Sequence, residues 1–212
     1  MVFLLFVNST LLVIFCDCMN FLAHIYLSFN DDEVSLGNFF ADSIQGNKYT
    51  HLPERVQKGI KLHRHIDTFT DAHPTVRLST KKLHQNYSHY SGIIVDIFYD
   101  HFLAKNWDQY SEVPLAEFVA NFYELLEAHY TILPEATKHM MPYMIKENWI
   151  VNYAHLDGIE RVLNGMNRRT KNKSKMNFAI LDLKEHYHEF EKEFTSFFRE
   201  LIDFSKQTYN SL

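Results

Sequence analysis

Between Gly59 and Pro74 the chain reads Gly-Ile-Lys-Leu-His-Arg-His-Ile-Asp-Thr-Phe-Thr-Asp-Ala-His-Pro. The spacing predicts a helix, because apolar residues recur at three- and four-residue steps. Leu62, Ile66 and Phe69 form one stripe, the core face. Lys61, Arg64, His65 and Thr68 lie opposite, toward solvent or a partner. Between them runs a third stripe, His63, Asp67 and Asp71, at i, i+4 and i+8. A carboxylate four residues after a histidine lies above it on the helix surface. Imidazole with carboxylate suits a divalent transition metal. The simpler alternative is a solvated His–Asp pair. Pro74 stops the helix, since proline cannot continue the ladder.

A chain with 6 Gly and 5 Pro in 212 residues has few turns and long elements. Its 46% apolar and 22% charged content is that of a globular protein, and the length allows one well-buried domain. Residues 20–29 carry Phe21, Leu22, Ile25 and Phe29 on one side, with His24 nearby. Asp31, Asp32 and Glu33 load the start of a second helix with acid, where the macrodipole favours it. That helix runs through Leu36, Phe39 and Phe40 to Ile44, and Gly46-Asn47 ends it. Asp42, near the unfavourable end of that dipole, must face water or a positive partner.

The stretch Gly92–Ala104 is apolar nearly all round, which predicts a buried central helix. Yet it holds Asp96 and Asp100 at i,i+4, with His101 adjacent. Buried carboxylates are costly unless paired or metal-bound. Asp96 could instead pair with Arg77 or Arg64. Residues 75–90 read as a polar region. Pro114–Tyr130, Pro134–Asn148 and Trp149–Asn164 read as amphipathic helices, and Arg168, Arg169, Lys171, Lys173 and Lys175 as an exposed basic loop. Leu183, Tyr187, Phe190, Phe194, Phe197 and Leu201 predict one long final helix. The fold class is therefore all-α, a single helical domain over residues 19–212.

Residues 1–18 are an apolar N-terminal extension. Met1–Phe15 contains no Lys or Arg, unlike a signal peptide. It is also short for a membrane span, which needs about 20 residues. The preferred reading places the true start at Met19; a membrane anchor is the alternative. Cys16 and Cys18 are too close in sequence for an unstrained bridge, which fits a reducing, cytoplasmic setting. The net charge of −5 argues against nucleic-acid binding. There is no Walker motif and no Gly-x-Ser-x-Gly elbow. Only Glu185-x-x-His188 matches the pair a di-iron bundle needs twice.

Several segments, in order, resemble the acyl carrier protein phosphodiesterase family. They are Met19-Asn-Phe-Leu-Ala-His24, Gly37-Asn-Phe-Phe-Ala-Asp42, Gly59-Ile with His63-Arg64 and Ile66-Asp67, Thr70-Asp71, Asp96 with Asp100-His101-Phe-Leu, Val162-Leu-Asn-Gly-Met166 and Arg168-Arg169. The resemblance covers Met19 to about residue 205. It implies an HD-phosphohydrolase-like helical bundle that uses Mn²⁺ to remove 4′-phosphopantetheine from holo-acyl carrier protein. The adjacent His-Asp signature of the HD group is absent, and Asp100-His101 is the reversed pair. The resemblance and the helix spacing together suggest His63, Asp67, Asp42 and Asp100 as metal ligands, with His24 as a further one. His101 is the candidate proton donor to the leaving serine. Asp71 and Asp96 would orient ligands, and Arg64 and Arg77 would hold the phosphate. The resemblance also implies an acidic carrier whose modified serine opens an acidic helix. The stripe Lys58, Lys61 and Arg64, or the basic loop, would receive it. A hydrolase for a nucleotide or other small phosphoester, and a non-catalytic helical module, are the alternative classes.

Overall fold

A computed structural model describes residues 21–212, so the N-terminal extension and the start at Met19 lie outside the described residues. The described chain is a single all-helical domain with no strand among those residues. Its helices are α1 (Phe21–Tyr26), α2 (Asp32–Phe40), α3 (Glu54–Ala72), α4 (Pro74–Tyr87), α5 (Ser91–Lys105), α6 (Leu115–Ala128), α7 (Glu135–Lys146), α8 (Trp149–Asn152), α9 (Leu156–Arg169), α10 (Ala179–Glu185) and α11 (Tyr187–Ser211). A short 3₁₀ turn, Ala41–Ser43, follows α2 and carries Asp42.

Helix α5 runs through the centre. Ile94, Val95, Ile97, Phe98, Phe102 and Leu103 are all buried, as its apolar run predicts. Helix α11 packs along α3, α4 and α5, and Phe190, Phe194, Phe197 and Phe198 fill that side of the core. Asp31 caps α2 by accepting the Val34 N–H at 3.3 Å.

The closest packing is between α2 and α3. A Cβ on Gly37 would lie 2.0 Å from the Val56 carbonyl oxygen, and one on Gly59 would lie 2.1 Å from that of Val34. No side chain fits between these backbones, so only glycine permits the crossing. The crossing brings Asn38, the residue after Gly37, beside His63, one turn after Gly59.

Three boundaries differ from the sequence expectation. Pro74 does end α3, but it also opens α4 as a first-turn proline, so the polar region 75–90 is mostly helix. Its inner face, Val76, Ser79, Leu83 and Tyr87, is half polar, which hides the apolar period. The helix expected over Trp149–Asn164 is two helices, α8 and α9. Gly158 of α9 lies so close to α8 that a Cβ there would be 1.9 Å from the Asn152 carbonyl oxygen. The long final helix breaks at His186, leaving α10 and α11.

Candidate metal centre

The centre forms where α1, the end of α2 and α3 meet, and Asn38 organises it. This side chain is fully buried. Its Nδ2 donates to the His24 main-chain oxygen at 2.8 Å and to Ser28 Oγ at 3.0 Å. Those two bonds orient the amide, so its Oδ1 accepts from His24 Nδ1 at 2.7 Å. The Asn38 main-chain carbonyl accepts from His63 Nδ1 at 2.8 Å. An oxygen that only accepts requires a proton on its partner nitrogen. Both imidazoles therefore carry Nδ1–H and present Nε2 to the same space. Their rings stack with centroids 4.0 Å apart.

Carboxylates face those two nitrogens. His63 Nε2 lies 2.9 Å from Asp42 Oδ1 and 3.0 Å from Asp67 Oδ2. His24 Nε2 lies 3.3 Å from Asp67 Oδ1, yet it makes no hydrogen bond. A buried imidazole nitrogen this close to a carboxylate oxygen calls for a cation between them, a proton or a metal ion. The ligand atoms of His24, His63 and Asp67 all lie within 4.8 Å of one another, a group that could hold a metal ion. Nitrogen and oxygen donors of this kind suit a borderline divalent transition metal.

The electrostatics point the same way. Burial opposes a charge on His63, but Asp42 and Asp67 outweigh it and raise the imidazole to about 10. Burial likewise opposes a charge on Asp67, but His24 and His63 hold its carboxyl well below the usual range. Asp71 is exposed on the next turn; burial and then Asp67 push its carboxyl up. Asp96 is partly exposed by surface area but closely surrounded by protein. Burial pushes it well above the usual range, and Asp67, Asp71, Asp100 and Asp42 add to the effect. No cationic side chain pairs with Asp96 among the described residues, so neither Arg77 nor Arg64 neutralises it. An accumulation of carboxylates around two imidazoles is an environment that favours a cation.

The structure brings His24, His63 and Asp67 together, with Asp42 on His63. Other candidates lie elsewhere. Asp100 accepts the Leu22 N–H on Oδ2 and the Ala23 N–H on Oδ1, each at 3.0 Å. Its oxygens hold the start of α1 and do not join the group. Burial pushes Asp100 up to about 8 against those two bonds. His101 is engaged away from the group. Its Nδ1 donates to the Tyr153 carbonyl at 2.7 Å, and its Nε2 accepts from Tyr187 O–H at 2.8 Å. Burial keeps this imidazole neutral, and both nitrogens are occupied, so the proton-donor role expected of His101 has no free atom to serve it. Arg64 donates to the main-chain oxygens of Gly46 and Ile44 and lies over the Tyr49 ring. Arg77 Nε donates to the Asp71 main-chain oxygen at 3.4 Å. Lys61 is exposed on the outer face of α3. Glu185-x-x-His188 leaves the His188 side chain 96% exposed. Asn38 is the functional position that sequence reasoning passed over. Its one signal was an amide inside the apolar run Leu36–Ala41.

Fold and site together define an all-helical protein with a buried histidine–carboxylate centre able to take a metal. A family profile described as acyl carrier protein phosphodiesterase matches residues 19–201. The chain belongs to the acyl carrier protein phosphodiesterase family. It is 34% identical to the acyl carrier protein phosphodiesterase of Photorhabdus laumondii over 188 residues, covering 87% of this chain and 94% of that one. The corresponding protein of Pectobacterium atrosepticum is 32% identical, over 89% of this chain and 98% of its own. That of Salmonella agona is 35% identical, over 87% and 96%. No solved structure matches significantly. No helix among the described residues is long and apolar enough to cross a membrane.

Proposed function

We propose that the protein hydrolyses the phosphodiester between 4′-phosphopantetheine and the serine of holo-acyl carrier protein, giving the apo form, with Mn²⁺ as cofactor. The observation that carries this is the pair of Nε2 atoms, fixed through Nδ1 by Asn38 and turned toward Asp67. His24, His63 and Asp67 would hold the cation, with Asp42 completing the set. A divalent cation supplies Lewis acidity to phosphoryl oxygens and lowers the pKa of its water to about 7.

The chain's own residues do the rest. Asn38 fixes both imidazole tautomers, so no ligand reorients when the substrate arrives. Asp71 borders the centre on the exposed side of α3 and orients what enters. Arg77, one contact from Asp71, faces the incoming phosphate as a fixed positive charge. The leaving serine oxygen must depart as an alcohol and needs a proton. Asp96 takes the place of His101 as the candidate for that role, since burial raises its carboxyl and Asp67, Asp71, Asp100 and Asp42 add to the effect. In this reading the chain runs HD-type phosphohydrolase chemistry with a His/Asp set drawn from α1 and α3. Cys16 and Cys18 support a reducing, cytoplasmic setting.

The test is to incubate the purified chain and Mn²⁺ with holo-acyl carrier protein and follow release of phosphopantetheine by mass spectrometry. A panel of nucleotides and small phosphoesters runs alongside. Turnover of the panel with none of the carrier would refute the proposal and put the small-phosphoester reading first.

A further inference from the structure

We propose that the outer face of α4 is the surface on which the acidic helix of the carrier protein docks, an inference that rests on the phosphodiesterase reading above. The chain carries 26 Asp and Glu against 21 Lys and Arg, yet α4, Pro-Thr-Val-Arg-Leu-Ser-Thr-Lys-Lys-Leu-His-Gln-Asn-Tyr, has no acidic residue. One of its basic groups is used internally, because Lys82 pairs with Glu193 and Glu189 of α11. Arg77, Lys81 and His84 remain outward at i, i+4 and i+7, a single exposed stripe. Lys81 has no carboxylate partner among the described residues. Leu78, beside the stripe, is 57% exposed. Two cations, Arg77 and Lys81, around an exposed leucine fit an acidic amphipathic helix.

The stripe begins at the centre itself. Arg77 touches the Asp71 main chain, and the Asp71 carboxyl is close enough to Asp67 to feel its charge. The scissile bond lies at the serine that opens the carrier's helix. When that serine is at the centre, the rest of the helix must run away from it. The 14 residues of α4 give about 21 Å of parallel track. The basic stripe of α3 is less available. Lys58 is drawn over the Tyr209 ring at 4.0 Å, and Arg64 is held by the Gly46 carbonyl. The α4 stripe is thus proposed for the docking role that the sequence suggested for the stripe Lys58, Lys61 and Arg64 or for the basic loop.

The experiment measures initial rates of the full chain with Mn²⁺ on holo-acyl carrier protein at low salt. Lys81→Glu with His84→Glu is compared with Leu78→Asp and with Lys58→Glu with Lys61→Glu. Rim charges act mainly on association, so the α4 double variant should raise KM about tenfold, leave kcat within about twofold and flatten the salt dependence. Leu78→Asp should raise KM as well. Changing an acidic residue of the carrier helix to Lys should recover much of the loss in the α4 double variant, which a merely structural defect would not allow. Wild-type KM in both α4 variants, or a KM rise confined to the α3 variant, would overturn the docking surface while the phosphodiesterase reading stands. No carrier turnover by the wild-type chain would instead overturn the reading beneath it.

Discussion

Removing the Asn38 side chain should separate metal affinity from fold. Asn38→Ala deletes the Oδ1 that accepts from His24 Nδ1 at 2.7 Å and the Nδ2 that donates to the His24 carbonyl and to Ser28 Oγ. The carbonyl keeps a partner, because Ser28 Oγ also donates to it at 2.8 Å. The orphan is the buried His24 Nδ1–H, and leaving it unpaired costs about 1–3 kcal/mol. In a chain of this size each kcal/mol lowers Tm by about 2–4 °C. The His63 tether survives, because its acceptor is the Asn38 main chain. Only one of the two imidazoles loses its fixed tautomer, and loss of such an orienting contact weakens metal affinity by about 10–100-fold. Asn38→Asp serves as the contrast. It keeps the acceptor and adds negative charge but loses both donors, so its Tm should fall while Mn²⁺ affinity does not. Titration of free Mn²⁺ by electron paramagnetic resonance, with calorimetry on the same samples, reads both quantities. An Asn38→Ala variant that binds Mn²⁺ within about twofold of wild type would refute the argument, since orientation of His24 was to supply at least tenfold.

The protonation of the metal-free centre gives a second prediction. His63 is raised to about 10, so the stability it contributes is complete below about 6.5 and is lost as pH rises through about 10. Mn²⁺ must displace that proton, so calorimetry in buffers of different ionisation enthalpy should show about one proton released per ion near neutral pH; no buffer dependence would contradict it. Asp96→Asn should lower kcat on the carrier by about 10²–10⁴-fold with Mn²⁺ affinity nearly unchanged, and a wild-type kcat would remove Asp96 as the acid. Gly59→Ala should cost about 3 kcal/mol, because its Cβ would meet the Val34 carbonyl. Gly92→Ala, whose Cβ meets nothing within 4 Å, should be neutral or stabilising by up to about 1 kcal/mol; equal Tm shifts for the two would argue against the tight crossing.

Much of this was legible in the sequence where periodicity and chemistry coincide. The apolar stripe of α3 and the all-round apolar run of α5 announce a helical domain, and the resemblance of the segments from Met19 onward named the family. His63 and Asp67 were legible as a pair because both sit on one helix. The remainder depends on contacts between helices. His24 meets Asp67 only because α1 lies against α2, which itself crosses α3, and Asn38 matters only because two glycines let α2 and α3 touch. Conversely, Asp100 and His101 looked functional because a charged pair in a buried helix demands an explanation. The explanations are local: Asp100 secures α1 through two backbone N–H groups, and His101 ties α5 to Tyr153 and Tyr187. No one-dimensional pattern tells a buried ligand from a buried clasp.

The contact between Gly37 and Gly59 bears on when the centre acquires its shape during maturation. Backbone against backbone is a rigid joint with no rotamer to adjust, and it involves no metal ion; its partners, Gly37 with Val56 and Val34 with Gly59, lie 19 and 25 residues apart. Closing a loop of that length costs little more than closing a short one, because the entropy cost grows only with the logarithm of the length. The cradle of Asn38 and His63 can therefore be complete in a newly made chain that has never met a metal ion. Small zinc domains are the opposite case, in which the ion is the nucleus of folding. Here the ion would arrive as a late guest in a finished room. A cell short of the metal would then accumulate folded, idle protein that a pulse of the ion could switch on without new synthesis.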